Sequence, residues 1–154
     1  MGAVTDRLAE LGLELPSLAV ALGSYVPAVR TGTHVFTSGQ LPMQDGELLA
    51  HGKVGAEVSE ETANACARRC ALNALAAAAS VCDLDEIIRI VRVTGYVASA
   101  PGFVAQPAVV NGASDVLVAV FGDAGRHARE AVGVAALPLD APVEVSLVLE
   151  VRAE

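Results

Sequence analysis

The stretch Phe103-Val104-Ala105-Gln106-Pro107-Ala108-Val109-Val110-Asn111-Gly112-Ala113-Ser114-Asp115-Val116-Leu117-Val118-Ala119-Val120-Phe121 decides the fold. Its second half, from Val116 on, has the β-branched content of a strand. Against that, Val109, Ala113, Val116 and Val120 recur at helical spacing, while Asn111, Ser114 and Asp115 lie opposite. The spacing predicts a helix, ended by Gly122.

Working outward, residues 86–97 are rich in β-branched side chains and bounded by Asp83-Leu84-Asp85 and Ala100-Pro101-Gly102, which reads as a strand buried on both faces. Before it, Ser59 opens the longest helix, with Glu60 and Glu61 in the first turn, where the helix dipole favours negative charge. At 100° per residue, Cys66, Cys70, Ala74, Ala77 and Val81 form one stripe; Leu72 and Leu75 fall on the polar side, so this half is expected to be covered twice. Residues 25–30 and 34–38 flank Thr31-Gly32-Thr33 as a hairpin, and Gln44-Asp45-Gly46 turns the chain into residues 47–50, giving a small antiparallel meander. On the far side, Val143, Val145, Leu147, Leu149 and Val151 alternate with Glu144, Ser146, Val148, Glu150 and Arg152. With residues 129–137 this tail is expected to make a second hairpin around Pro138-Leu139-Asp140-Ala141-Pro142. Residues 5–12 read as a short helix capped by Thr5 and stopped by Gly12, followed by connecting chain to residue 22. The order strand, strand, helix, strand, helix, strand, strand gives an α+β sheet with its helices on one face. The expectation is one domain over residues 1–154, with residues 1–22 a helical N-terminal extension.

The 154 residues are 53% hydrophobic and 3% aromatic, with a formal net charge of -8. The hydrophobic fraction excludes intrinsic disorder, and the length suits one core. Much of the apolar content is Ala and Val, so that core must fill its volume by close packing of small side chains; the apolar surplus hints at oligomerisation. The negative charge argues against nucleic-acid partners, which draw on a basic patch. The run from Cys70 to Cys82, read as the longest nearly uncharged stretch, is shorter than the roughly 20 residues of a membrane span. Asp6, Arg7 and Glu10 stand where a secretory signal would need an apolar core. A cytoplasmic protein without membrane contact is expected. Cys66, Cys70 and Cys82 form no zinc pattern with the widely spaced His34, His51 and His127, and read as free thiols; no metal site is expected.

No Gly-rich phosphate loop or nucleophile elbow is present. What remains are Arg129, at the start of an apolar strand, and Glu144, flanked by Val143 and Val145 on what would be the next strand of the same hairpin. Two readings stand. Either both are solvated outer-face charges, or Arg129 clamps a small carboxylate with its bidentate fork while Glu144 moves a proton or positions water.

The blocks Tyr25-Val26-Pro27-Ala28-Val29, Phe36-Thr37-Ser38-Gly39-Gln40-Leu41-Pro42, Arg129-Glu130-Ala131-Val132-Gly133-Val134-Ala135-Ala136-Leu137-Pro138 and Val143-Glu144-Val145 together resemble the signature of the RidA/YjgF family, the reactive intermediate deaminases once called L-PSP endoribonucleases. The likeness runs from about Tyr25 to Arg152. It implies a chorismate-mutase-like α+β fold, a mixed sheet with two main helices on one face, assembled as a homotrimer with ligand clefts between subunits. By the same resemblance, Arg129 would bind the substrate carboxylate and Glu144 would activate water. Tyr25, Ser38, Gly39 and Asn111 would contact substrate. The implied reaction hydrolyses enamine or imine acids such as 2-aminoacrylate to a 2-keto acid and ammonia, without a cofactor. A trimeric protein that binds a small carboxylate without turning it over is the alternative, and an endoribonuclease the third.

The chain also departs from that pattern. His127 stands where the family usually has Pro, Ala131 where a Cys is common, and Ala105-Gln106-Pro107-Ala108 lengthens the approach to Asn111. His127, two residues from Arg129, is a possible catalytic residue or a structural one.

Overall fold

The computed structural model describes residues 2–18 and 23–153. Along these residues run α1 (Ala3–Glu10), β1 (Ala28–Thr31), β2 (His34–Thr37), β3 (Met43–Gln44), β4 (Glu47–Leu48), α2 (Glu60–Ala78), β5 (Ile87–Ala98), α3 (Gln106–Phe121), β6 (Ala128–Val134) and β7 (Val143–Val151). The stretch that decides the fold is a helix, and Gly122 ends it at φ +61°. Ser59 caps α2, its hydroxyl accepting from Thr62 N at 3.1 Å. The main sheet has the order β1-β2-β7-β5-β6, antiparallel except for β6, which runs parallel to β5.

Three expectations about strand pairing and capping are corrected. Residues 129–137 and the tail do not form a hairpin, because β5 lies between β6 and β7. α3 is a crossover that returns β6 parallel to β5. The connection over residues 135–142 then carries the chain past the end of β5, where Ala98 N donates to Pro142 O at 2.9 Å. The meander also splits, since β3 and β4 pair only with each other. Gln40 exchanges two backbone bonds with Val145, and thereafter α2 takes the chain: Arg69 Nε donates to Met43 O at 2.8 Å, and Asn73 Nδ2 to Leu41 O at 2.9 Å. Finally, α1 starts at Ala3, not behind Thr5. The Asp85 carboxylate accepts from Ala3 N at 3.0 Å and Val4 N at 2.8 Å, so a residue 81 positions away does the capping. Gly12 (φ +69°) follows the helix in the left-handed region, as read. Residues 19–22 of the expected extension lie outside the described residues.

Alternation decides what the sheet buries. Val143, Val145, Leu147, Leu149 and Val151 of β7 join Val35, Ile90, Val93 and Val97 under α2 and α3, all at 1% exposure or less. The opposite face is open along the chain: Val29, Phe36 and Val132 are 51%, 45% and 44% exposed, and Arg92 of β5 is exposed beside them. β5 is therefore covered on one face rather than two. α3 and the turn after it, Gln106–Gly125, are by length and composition apolar enough to cross a bilayer, a stretch the reading of Cys70–Cys82 passes over. Here Val109, Val110, Ala113 and Leu117 are fully buried against α2 and the sheet.

Small residues let the two helices close on each other. Ala63, Ala67, Ala71, Ala74 and Ala78 of α2 are fully buried, and Asn64 Nδ2 donates to Ala108 O of α3 at 3.0 Å. Gly112 sits so close to α2 that a Cβ would overlap the Asn64 carbonyl, a backbone atom that cannot swing away. Gly112→Ala is expected to destabilise the fold by about 2 kcal/mol, as overpacking does, and to lower Tm by roughly 4–8 °C in a thermal melt.

Candidate functional site

Register places Arg129 and Glu144 on opposite faces of the sheet. Arg129 pairs with the fully buried Val93 and points to the helix side, whereas Glu144 pairs with Tyr96 on the open side. Three residues of rise and two strand spacings put their Cα atoms ~14 Å apart. The residues singled out in the sequence thus fall into two separate groups.

One group gathers around Arg129. Asn111 and Ser114, three residues apart on α3, are neighbours on the face that meets β6. Arg129 Nη1 donates to Asn111 Oδ1 at 2.7 Å and to Ser114 Oγ at 3.2 Å, and Nη2 donates to Pro107 O at 3.4 Å. The residues that lengthen the approach to Asn111 are the first turn of α3, and they supply that carbonyl. Among the described residues no acceptor meets Nε. Of five N–H donors, Nε–H and one on Nη2 remain for a ligand. No hydrogen bond joins His127 to Arg129 directly. Its Nε2 lies 2.9 Å from Ser114 Oγ, and its Nδ1 is 2.6 Å from Gly125 O.

The second group gathers around Glu144. Gln40 bonds Val145 across the end of β2, which brings Gly39 against the Glu144 side chain. A Cβ on Gly39 would overlap the carboxylate and stand 2.7 Å from Cδ. Gly39 has ordinary backbone, so what it contributes is room, not conformational freedom. The Ser38 hydroxyl donates to Val26 O at 2.7 Å and its N–H to Pro27 O at 2.8 Å, tying the segment that carries Tyr25 beside this end of the sheet; the Tyr25 ring itself is exposed. Glu144 is half-buried, and among the described residues its carboxylate has no hydrogen-bond donor. Burial without a donor holds its pKa above the ordinary 4.5.

The thiols lie elsewhere. Burial pushes Cys66 up to about 11 and Cys70 well above its usual value, with the charge of Glu144 a lesser contribution at Cys70. Thiols held so far from ionisation are poor nucleophiles. All three cysteines are free, and among the described residues no group of three or more His, Cys, Asp or Glu is placed to hold a metal. Ser114 and the Pro107 carbonyl are the contacts of Arg129 that sequence reading missed. The signal for Ser114 was there in its i,i+3 spacing from Asn111; nothing local announces a carbonyl.

This fold and pair of groups define a recognisable class. The chain belongs to the YjgF/chorismate mutase-like family, whose model, described as "YjgF/chorismate_mutase-like, putative endoribonuclease", matches residues 5–151. Protein TCP17 of Trypanosoma cruzi is 42% identical over 153 residues, which cover 98% of this chain and 96% of that protein. The crystal structure of Atu1372 from Agrobacterium tumefaciens, a protein of unknown function, is 43% identical with a TM-score of 0.89, covering 97% of this chain and 93% of that one. TdcF of E. coli, solved with bound serine, is 27% identical with a TM-score of 0.62, covering 88% and 94%.

The raised pKa of Glu144 has a thermodynamic consequence. The folded chain holds this proton more tightly than the unfolded one, so stability falls as pH rises from the ordinary 4.5 through the raised native value, and above that value the cost is complete. Glu144→Gln removes the cost. Its Tm is expected to exceed the wild-type value at pH 7.5 and to converge on it at pH 4, as measured by calorimetry at the two pH values.

Proposed function

We propose that the chain is a hydrolase of small 2-enamine and 2-imine acids, working as a homotrimer in which the Arg129 group of one copy and the Glu144 group of its neighbour form one cleft. The observation that carries this reading is the placement of the two groups on opposite faces of one sheet. Arg129 keeps Nε–H and one Nη2 hydrogen free, and Glu144 keeps a half-buried carboxyl without a donor. Neither group is complete alone, and a second copy against the open apolar face around Val29, Phe36 and Val132 would unite them. The serine-bound TdcF structure supports a small amino acid or a close analogue of one as the ligand class.

In this reading Arg129 holds the carboxylate of 2-aminoacrylate, and Glu144, as the acid, protonates the terminal CH2 carbon to give the iminium. The resulting Glu144 carboxylate then takes a proton from water as its oxygen attacks the imine carbon. Collapse of the carbinolamine expels ammonia, so 2-aminoacrylate and one water give one 2-keto acid and one ammonia. A pKa above the ordinary value suits a group that must give and then take a proton near neutrality. The carbon attacked is already electrophilic, so positioning and proton transfer are what the chain's own residues supply.

The test generates 2-aminoacrylate in situ and follows its decay. Wild type should accelerate it, and Arg129→Ala and Glu144→Gln should each reduce the acceleration at least 100-fold, the lower end of what a positioned acid–base group contributes. No acceleration by wild type sinks the reading, and tight 2-keto acid binding without turnover would instead favour a binding protein. Mixing and reannealing the two inactive variants tests the shared cleft. Random trimers place an intact Arg129 against an intact Glu144 in about a quarter of clefts, so about a quarter of wild-type activity should return. No return would overturn the shared cleft.

A further inference from the structure

The contacts behind Arg129 can be followed proton by proton. The Gly125 carbonyl only accepts, so His127 Nδ1, 2.6 Å away, carries the hydrogen of that contact. In the neutral ring Nε2 is then an acceptor, and the Ser114 hydroxyl at 2.9 Å supplies its hydrogen. The Ser114 oxygen in turn accepts from Arg129 Nη1 at 3.2 Å, a direction fixed because a guanidinium cannot accept. Donation runs from Arg129 through Ser114 to His127 and ends on Gly125. That end is anchored: Gly125 is buried, and a Cβ there would overlap the Leu117 carbonyl of α3.

With Asn111 Oδ1 as the other acceptor at 2.7 Å, both Nη1 hydrogens are taken. The end-on edge formed by Nη1 and Nη2 is therefore broken, and only the Nε–Nη2 edge can receive a carboxylate. We infer that Ser114 and His127 are positioning residues that lock the Arg129 guanidinium and so select the edge it offers to the ligand. The lock removes rotation about the guanidinium bonds before a ligand arrives, which lowers the entropy lost on binding. The choice of ligand edge rests on the carboxylate reading above; the lock itself does not.

Nitrogen-15 arginine NMR of the ligand-free protein reads the lock directly. Arg129, identified by its loss in Arg129→Lys, should give separate Nη1 and Nη2 signals in wild type. Those signals should merge through fast rotation in Ser114→Ala and His127→Leu. They should stay separate in His127→Gln, whose amide oxygen can take the place of Nε2 as acceptor. Across the same folded variants, checked by circular dichroism, the Kd for 2-oxobutanoate should rise roughly tenfold in Ser114→Ala and His127→Leu, the worth of one hydrogen bond, and stay within about twofold in His127→Gln. Separate signals in both Ser114→Ala and His127→Leu overturn the inference, and merged signals in His127→Gln overturn the role given to His127. A wild type that binds no 2-oxobutanoate counts against the carboxylate reading, while the spectra still decide the lock.

Discussion

The double pairing of β5 is the constraint from which the rest of the architecture follows. Bonded to β7 on one side and to β6 on the other, β5 fixes which residues of both neighbours face the helices. The parallel register sets Arg129 beside Val93 and so under α3, within reach of Asn111 and Ser114. The antiparallel register sets Glu144 beside Tyr96, on the other face. A one-residue slip in either ladder would exchange faces and dissolve the group that the slipped strand carries. Geometry set by backbone pairing thus decides where the chemistry-bearing side chains can point, before any of their own contacts form.

Packing of small side chains serves the same end. The Ala stripe of α2 and Gly112 of α3 bring the helices close enough for Asn64 to bond across to Ala108, which sets α3 against the sheet. Asn111 and Ser114 then meet β6 at hydrogen-bonding distance, within a few tenths of an ångström. The sparing use of aromatic residues therefore has a positional meaning as well as a volumetric one. Large anchors between the helices would hold α3 farther from β6.

Much of this was legible in the sequence, for identifiable reasons. α2, α3, the first hairpin and the alternation of β7 follow from local periodicity and capping, which one short window contains. Arg129 and Glu144 stood out as charges set in apolar strands, and the resemblance added Asn111. The parallel partner of β6 was not legible: adjacency in sequence favours a hairpin, and whether a strand pairs with its neighbour or crosses over depends on the helix between. The cap of α1 was missed because its acceptor, Asp85, lies 81 and 82 residues from the amides it bonds. The separation of Arg129 and Glu144 onto two faces follows from the same missed pairing. Ser114 was named only as part of a helix's polar side, because its importance comes from what stands opposite.

The capping of α1 also makes that helix a local reporter. Eight residues are too few to hold a helix in water unaided. α1 persists because Asp85 neutralises its first amides and Arg7 Nε reaches Ala119 O at 3.0 Å near the end of α3. Its amides are therefore protected from solvent exchange only while the start of β5 and the end of α3 are both in place. Opening of either would be seen first at α1, a segment remote in sequence from both, which ties the exchange of the N-terminus to the integrity of the helix that holds Asn111 and Ser114.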